Sequence, residues 1–136
     1  MKARVLYRIS SILILLFDLG HSAGFPWSDP RWSVEAPRAM RSNHFAVLGF
    51  SRTYWDFYVG FGLAISVLFL LAAILAWQLG SLSKETLPSM RATAWALCFC
   101  FAAMTVINCL YFFTIPIVFS SVITVCLIPA AWMSSK

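Results

Sequence analysis

The sequence has few charged side chains, which make up 11% of its 136 residues, and only five of them are acidic. Hydrophobic residues account for 61% and the mean hydropathy is +0.83, so too little polar surface is present to cover a soluble globule. The basic residues are scattered at the ends of apolar runs, which argues against a nucleic-acid-binding face. The composition therefore predicts a membrane protein that forms a single transmembrane domain over residues 1–136.

Signatures of known chemistry are also missing. The sequence contains no P-loop, no H-E-x-x-H metalloprotease motif and no G-x-S-x-G nucleophile elbow. Four cysteines are present without a C-x-x-C pair; Cys98 and Cys100 point to different faces of a helix, and Cys109 and Cys126 lie in apolar surroundings. We predict no metal and no cofactor, and no motif shows whether the protein is an enzyme.

Long apolar runs are the strongest positive signal, because about 20 apolar residues suffice to cross a bilayer as a helix. They predict four spans and one long outer loop, at about residues 5–25, 56–79, 92–113 and 115–133, with the loop at 26–53. As one helix, residues 92–133 would extend about 63 Å, twice the hydrocarbon thickness, so this run must fold back. The bend is predicted at Thr114, which can cap a helix that tolerates Pro116 in its first turn. The predicted fold is all-α, an integral membrane four-helix bundle.

The first span has two interpretations. Its basic start, its apolar centre and the small residues at 22–24 are typical of a cleaved signal peptide. Asp18 and His21 are unusual at the end of such a peptide, and the small pair Gly20 and Gly24 fits close helix packing in lipid. Retention of the segment also makes the number of spans even, which favours the four-helix interpretation.

Basic residues predict the orientation of the chain. A cytoplasmic N-terminus places six of them inside, at positions 2, 4, 8, 84, 91 and 136, against four in the outer loop, at 31, 38, 41 and 52. The positive-inside rule then favours cytoplasmic N- and C-termini, and we expect a bacterial inner membrane. Within the outer loop, the stretch Glu35–Phe50 carries Arg38, Arg41 and His44 at spacings of three, which predicts a short interfacial helix lying along the membrane.

Three residues are candidates for acid/base catalysis. Asp18 and His21 are three residues apart and share a helix face, so the carboxylate can orient the imidazole. Asp56 opens the second span, where it can face His21 or His44 across the bundle. A simpler interpretation pairs Asp56 with Arg52 at the i, i+4 spacing of a helix.

Five further residues are candidates for substrate binding. His44 and Arg52 would close the site from the loop, Trp55 and Tyr58 would form its walls, and Asn108 would orient a ligand. Each also has a structural interpretation: aromatic residues form belts at membrane interfaces, and amides inside membranes bond neighbouring helices.

Three strings of residues resemble a family. They are Gly-His-Ser-Ala-Gly-Phe at 20–25, Asn-His-Phe at 43–45 and Tyr-Trp-Asp-Phe-Tyr-Val-Gly-Phe-Gly at 54–62. This pattern resembles a group of small, mostly bacterial four-helix integral membrane proteins of unassigned activity. In architecture the chain is loosely similar to DoxX-like and sterol-isomerase-like membrane proteins, and that likeness implies a bundle able to hold an apolar ligand.

Two hypotheses about function follow. In the first, the protein binds or converts a lipophilic, isoprenoid-like molecule by acid/base chemistry in a cavity near one membrane face. In the second, it is a noncatalytic membrane partner or assembly factor that contacts another membrane protein or a second copy of itself. The lipid bilayer is a partner in both.

Overall fold

The computed structural model describes residues 2–24 and 33–134, and within them the chain is mainly helical. In chain order, the elements are α1 (Lys2–Gly24), α2 (Glu35–Ser42), β1 (His44–Val47), β2 (Phe50–Thr53), α3 (Tyr54–Ser81), a 3-10 turn (Leu87–Met90), α4 (Arg91–Tyr111) and α5 (Thr114–Ser134). The all-α prediction is confirmed at this level, with one short hairpin added. The break between α4 and α5 lies at Phe112 and Phe113, just before the predicted bend, and Thr114 is the first residue of α5.

Three of these helices are long and apolar enough to cross a membrane, namely Tyr54–Ser81, Leu87–Tyr111 and Thr114–Ser134. The protein thus has the helix lengths and the hydropathy of an integral membrane protein. The four long helices begin and end within three residues of the predicted spans. Helix α1 is not among the three, and its uncharged run between Arg8 and Asp18 contains nine residues.

The chain divides into two units, which we call the core unit (residues 1–18 and 69–136) and the hairpin unit (residues 19–68). In the core unit the buried positions of each helix recur at alternating spacings of three and four. This is clearest in α1 (3, 7, 10, 14, 17) and in α5 (120, 123, 127, 130, 134). Such spacing places one stripe of each helix against its neighbours, as in coiled-coil packing.

Four phenylalanine rings connect the helices of the core unit. The Phe17 ring of α1 lies 4.8 Å from that of Phe69 in α3 and 5.4 Å from that of Phe119 in α5. Phe69 in turn stacks on Phe101 of α4, with ring centroids 6.5 Å apart. Aromatic contacts of this kind add to the free energy of burial, so one cluster links all four long helices.

Small residues set the closest approach between α1 and α3. A Cβ atom built on Gly80 would lie 2.9 Å from the Arg4 carbonyl oxygen and 3.2 Å from the Arg8 backbone nitrogen. Nearby, the Ser11 hydroxyl donates to the Ala73 carbonyl oxygen at 2.7 Å. The backbones of the two helices are therefore in contact here, in the manner of small-residue packing in membranes.

The predicted helix over Glu35–Phe50 is correct in its first half and wrong in its second. Helix α2 ends at Ser42, where the backbone N–H and side-chain amide of Asn43 both donate to the Ala39 carbonyl oxygen. The chain then forms an antiparallel hairpin in which His44 lies opposite Thr53. Both turn residues have positive φ, 48° at Leu48 and 84° at Gly49, which matches the twist of a two-residue hairpin turn.

Adding one methyl group at each of two glycines in α3 tests this packing. Gly80→Ala should lower the free energy of unfolding by about 1–3 kcal/mol, because the new Cβ collides with the α1 backbone. Gly60→Ala is the matched control: its Cβ would meet no described atom within 4 Å, and the better helix propensity of alanine should stabilise the protein by up to about 1 kcal/mol. Unfolding by sodium dodecyl sulfate in detergent micelles, followed by tryptophan fluorescence, measures both; equal effects would contradict the close approach.

Candidate functional site at the start of α3

Asp56 lies in the first turn of α3 and makes three hydrogen bonds with Thr53, the residue before the helix. The Oδ2 atom of Asp56 accepts from the Thr53 backbone N–H at 2.7 Å and from the Thr53 hydroxyl at 3.0 Å. In return, the Asp56 backbone N–H donates to Thr53 Oγ1 at 3.1 Å. This reciprocal arrangement is a capping box, which satisfies N–H groups that the helix itself leaves without partners.

Arg52 has other contacts than the predicted ion pair with Asp56. Its Nη1 donates to the carbonyl oxygen of Ser51 at 2.8 Å, and its guanidinium lies 5.2 Å from the centre of the Phe50 ring. The predicted i, i+4 pair assumes that both residues belong to one helix, whereas Arg52 belongs to β2. The capping box, rather than Arg52, accounts for the position of the Asp56 carboxylate.

His44 lies beside this cap because the hairpin brings it there. It opens β1 and pairs with Thr53, the residue that bonds to Asp56. The structure thus places His44 and Arg52 near the Asp56 cap within the hairpin unit. All three side chains are exposed.

His21, the predicted partner of Asp56, bonds to the backbone of α3. Its Nε2 lies 3.0 Å from the Gly62 carbonyl oxygen, and because a carbonyl only accepts, the imidazole donates this hydrogen bond. One turn further along α3, the hydroxyls of Ser22 and Ser66 are 2.9 Å apart. These contacts attach the end of α1 to α3. Asp18 lies one turn before His21 on α1 and is partly buried.

Aromatic side chains surround the start of α3. The Arg41 guanidinium of α2 lies 3.9 Å above the Trp55 ring, within the range of a cation–π interaction, and Trp55 contacts Tyr58 at 5.4 Å between ring centroids. On the other side, the Phe45 ring of β1 lies 5.1 Å from Tyr54 and 5.6 Å from Phe57. Trp55 and Tyr58 therefore belong to the contacts that hold α2 and the hairpin on α3.

Asn108 lies in the core unit, where it connects α4 and α5. Its side chain is 3% exposed, and its Nδ2 donates to the Pro116 carbonyl oxygen and to the Ser120 hydroxyl, both at 3.1 Å. The neighbouring hydroxyls of Thr105 and Thr124 are 3.3 Å apart. These bonds are the interhelical contacts that polar groups in lipid require, and they employ both donor hydrogens of the amide.

The hydrogen bonds of Asp56 and His21 limit the acid/base chemistry available in the hairpin unit. The Asp56 carboxylate oxygen Oδ2 already accepts two hydrogen bonds, and His21 is a donor at Nε2. Among residues 2–24 and 33–134, no group of three histidine, cysteine, aspartate or glutamate side chains could hold a metal ion.

Comparison with protein-family models, with curated proteins and with solved structures finds no match to this chain.

The residue that completes this site, Thr53, is missing from the predicted set. The sequence carries the signal nevertheless, since Thr-Tyr-Trp-Asp at 53–56 has the spacing of a capping box and directly precedes an apolar run. The pairing of His44 with Thr53 is harder to predict from the sequence, because the hairpin turn at Leu48–Gly49 has a leucine where asparagine or glycine is usual.

Removing the Asn108 amide should weaken the contact between α4 and α5. Asn108→Ala loses two interhelical hydrogen bonds, which in membranes contribute about 0.6 kcal/mol each and at most about 1.7 kcal/mol. We expect a loss of about 1–2 kcal/mol in the free energy of unfolding in micelles. Cys109→Ala, at the exposed neighbouring position, is the control and should change it by less than about 0.5 kcal/mol. Equal stability of both variants and wild type would contradict the structural role of Asn108.

Proposed function

We propose that the protein is a multi-pass membrane protein in which α1, α3, α4 and α5 cross the bilayer as a four-helix bundle, and that it acts as a noncatalytic partner or assembly factor. The observation that carries this proposal is the capping box. Asp56, a candidate for acid/base catalysis, uses its carboxylate to stabilise the start of its own helix. In this proposal α2 and the hairpin lie at the outer face of a bacterial inner membrane, and both termini are cytoplasmic.

The distribution of residues on α1 supports a fourth span. Its exposed positions from Ile9 to Leu16 are apolar, namely Ile9, Ile12, Leu15 and Leu16, while Lys2 and Arg8 are exposed nearer its start. Its buried face includes the hydroxyls of Tyr7, Ser10 and Ser11. Tyr7 Oη lies 3.1 Å from Ser134 Oγ of α5, and Ser11 bonds to α3. Ser10 Oγ, by contrast, has no hydrogen-bond partner among the described residues. Apolar residues outward and mostly bonded polar residues inward suit a helix in lipid, where unpaired polar groups are costly.

The noncatalytic interpretation is supported by the bonds of the other candidates. Besides Asp56, His21 bonds to the α3 backbone, Trp55 packs under Arg41, and Asn108 links α4 to α5. Each of these contacts joins two elements of the fold, so the polar residues are used in holding helices and loop together. An active site typically gathers side chains with perturbed pKa values in a cavity, whereas these contacts join elements of the fold.

A surface for a partner helix is available at the end of α1. Cβ atoms built on Gly20 and Gly24 would meet no described atom within 4 Å, and both residues are exposed. Small residues four apart allow two helix backbones to approach closely in a membrane. We propose that this pair contacts a second membrane protein or a second copy of the chain.

The capping box predicts a specific pattern of stability. Thr53→Ala and Asp56→Ala should each lower the free energy of unfolding by about 0.5–2 kcal/mol, as loss of a helix cap does. Because the two residues act through the same bonds, the double variant should cost clearly less than the sum of the single variants. Arg52→Ala is the control, with an expected change within about 0.5 kcal/mol. A stable Asp56→Ala protein, or additive losses, would contradict the cap as the role of Asp56.

The proposed contact at Gly20 and Gly24 predicts an assembly in the membrane. Crosslinking of the wild-type chain in its native membranes should yield a species larger than the monomer, and Gly20→Leu with Gly24→Leu should abolish it through steric clash. Ala23→Leu, at an exposed position between them, is the control and should leave the species intact. Monomer alone in the wild type would contradict a partner role.

The second candidate function is conversion of a lipophilic, isoprenoid-like molecule with His21 and Asp56 as acid and base and Asp18 orienting His21. The observation that favours it is the aromatic group at the start of α3, formed by Phe45, Tyr54 and Phe57, which could contact an apolar ligand. It also agrees with the resemblance to DoxX-like and sterol-isomerase-like proteins. Turnover of such a molecule by wild type, lost in both His21→Ala and Asp56→Asn while membrane insertion is normal, would replace the noncatalytic proposal.

A further inference from the structure

A cavity of about 380 Å³ opens in the core unit, at the end where α1 begins and α5 ends. Its walls combine three basic side chains with apolar ones: Lys2, Arg4 and Lys84, together with Leu87, Pro88 and Met133. The volume falls in the range of about 300–1,000 Å³ that is usual for small-molecule sites. No residue of the proposed partner surface or of the capping box contributes to it.

The basic side chains reach this cavity from different parts of the sequence. Lys2 and Arg4 lie in the first turn of α1, and Lys84 lies in the connection between α3 and the 3-10 turn. Arg4 is held there by a hydrogen bond from its Nη1 to the Leu82 carbonyl oxygen at 3.5 Å. Three cations on one small cavity repel each other, so an anion between them would be attracted strongly.

One carboxylate lies close to these cations and must be weighed against them. Glu85 is exposed, and a hydrogen bond from the Ser83 side chain holds the pKa of its carboxyl below the usual range, with Lys84 and Arg4 acting in the same direction. Glu85 is therefore ionised at neutral pH and offsets one positive charge. It does not contribute to the cavity walls, and two positive charges remain in excess.

The apolar walls narrow the choice of anion. Leu87 is buried and Met133 lies near the end of α5, so the cavity presents hydrocarbon beside its cations. A phosphate with attached hydrocarbon, as in an anionic lipid headgroup, matches both surfaces, and a soluble phosphate matches the cations alone. In the proposed orientation this cavity faces the cytoplasmic headgroups.

We propose that the cavity bounded by Lys2, Arg4 and Lys84 binds a phosphate group, either that of an anionic phospholipid or a soluble phosphate. Arg4 provides a planar set of donors for phosphate oxygens, while the two lysines contribute mobile positive charges. The site would fix the inner end of α1 beside the loop that follows α3. It is independent of the partner role proposed above, since the two use opposite ends of α1.

The test uses the full-length chain in detergent micelles with two probes. Dimyristoyl-phosphatidylglycerol is compared with dimyristoyl-phosphatidylcholine by native mass spectrometry, and inorganic phosphate is compared with chloride by the shift in thermal unfolding midpoint. Lys84→Gln, in an exposed connection, removes one positive charge from the cavity. The double variant Arg4→Gln with Lys84→Gln removes two. We expect phosphatidylglycerol to bind more tightly than phosphatidylcholine, and the double variant to weaken this binding about tenfold or more.

A matched pair of substitutions separates the cavity from general charge. Arg38→Gln with Arg91→Gln removes the same number of positive charges at exposed positions outside the cavity and should leave binding unchanged. Binding of inorganic phosphate without a preference for phosphatidylglycerol would identify the ligand as a soluble phosphate. The proposal is overturned if neither probe binds better than its comparison, or if the control pair weakens binding as much as Arg4→Gln with Lys84→Gln does.

Discussion

The structure depends on one constraint, which is that polar groups placed among apolar helices must find their partners within the chain. In hydrocarbon no water replaces a missing hydrogen bond, and an unsatisfied group costs several kcal/mol. The core unit largely meets this constraint with side chains that bond across helices: Tyr7 to Ser134, Ser11 to the backbone of α3, and Asn108 to α5. Among the described residues, the exception is the buried hydroxyl of Ser10, which has no hydrogen-bond partner. Apolar residues fill the interior between these bonds and also cover much of the exposed surface.

The same constraint explains the residues at the start of α3. A helix leaves its first N–H groups without partners in the helix itself, and the Thr53–Asp56 capping box supplies acceptors for two backbone N–H groups. The hairpin then places β1 and β2 against this turn, and Arg41 of α2 covers Trp55. Asp56 thus caps the start of α3, and Trp55 contributes to its contact with α2.

Apolar runs predicted the long helices well, because about 20 residues without charge have few alternatives in a chain of this composition. The bend at Thr114 followed from length and from Pro116. The hairpin could not be predicted in the same way, since its strands contain four residues each and its turn has leucine at a positive φ, against the usual preference. The cap could be predicted from its spacing. The predicted pair of Arg52 with Asp56 required both residues to lie in one helix, whereas α3 begins at Tyr54, two residues after Arg52.

Helix α1 determines whether the proposed architecture is correct. Its uncharged run is short, yet its exposed positions from Ile9 to Leu16 are apolar, and its buried Tyr7 and Ser11 hydroxyls bond to other helices, as in a membrane span. The most direct test is the side of the membrane on which each terminus lies, measured with reporter domains fused to the N-terminus or the C-terminus of the full chain. Four spans predict that both reporters lie on the cytoplasmic side. Reporters on opposite sides would mean three spans and would contradict the four-helix bundle.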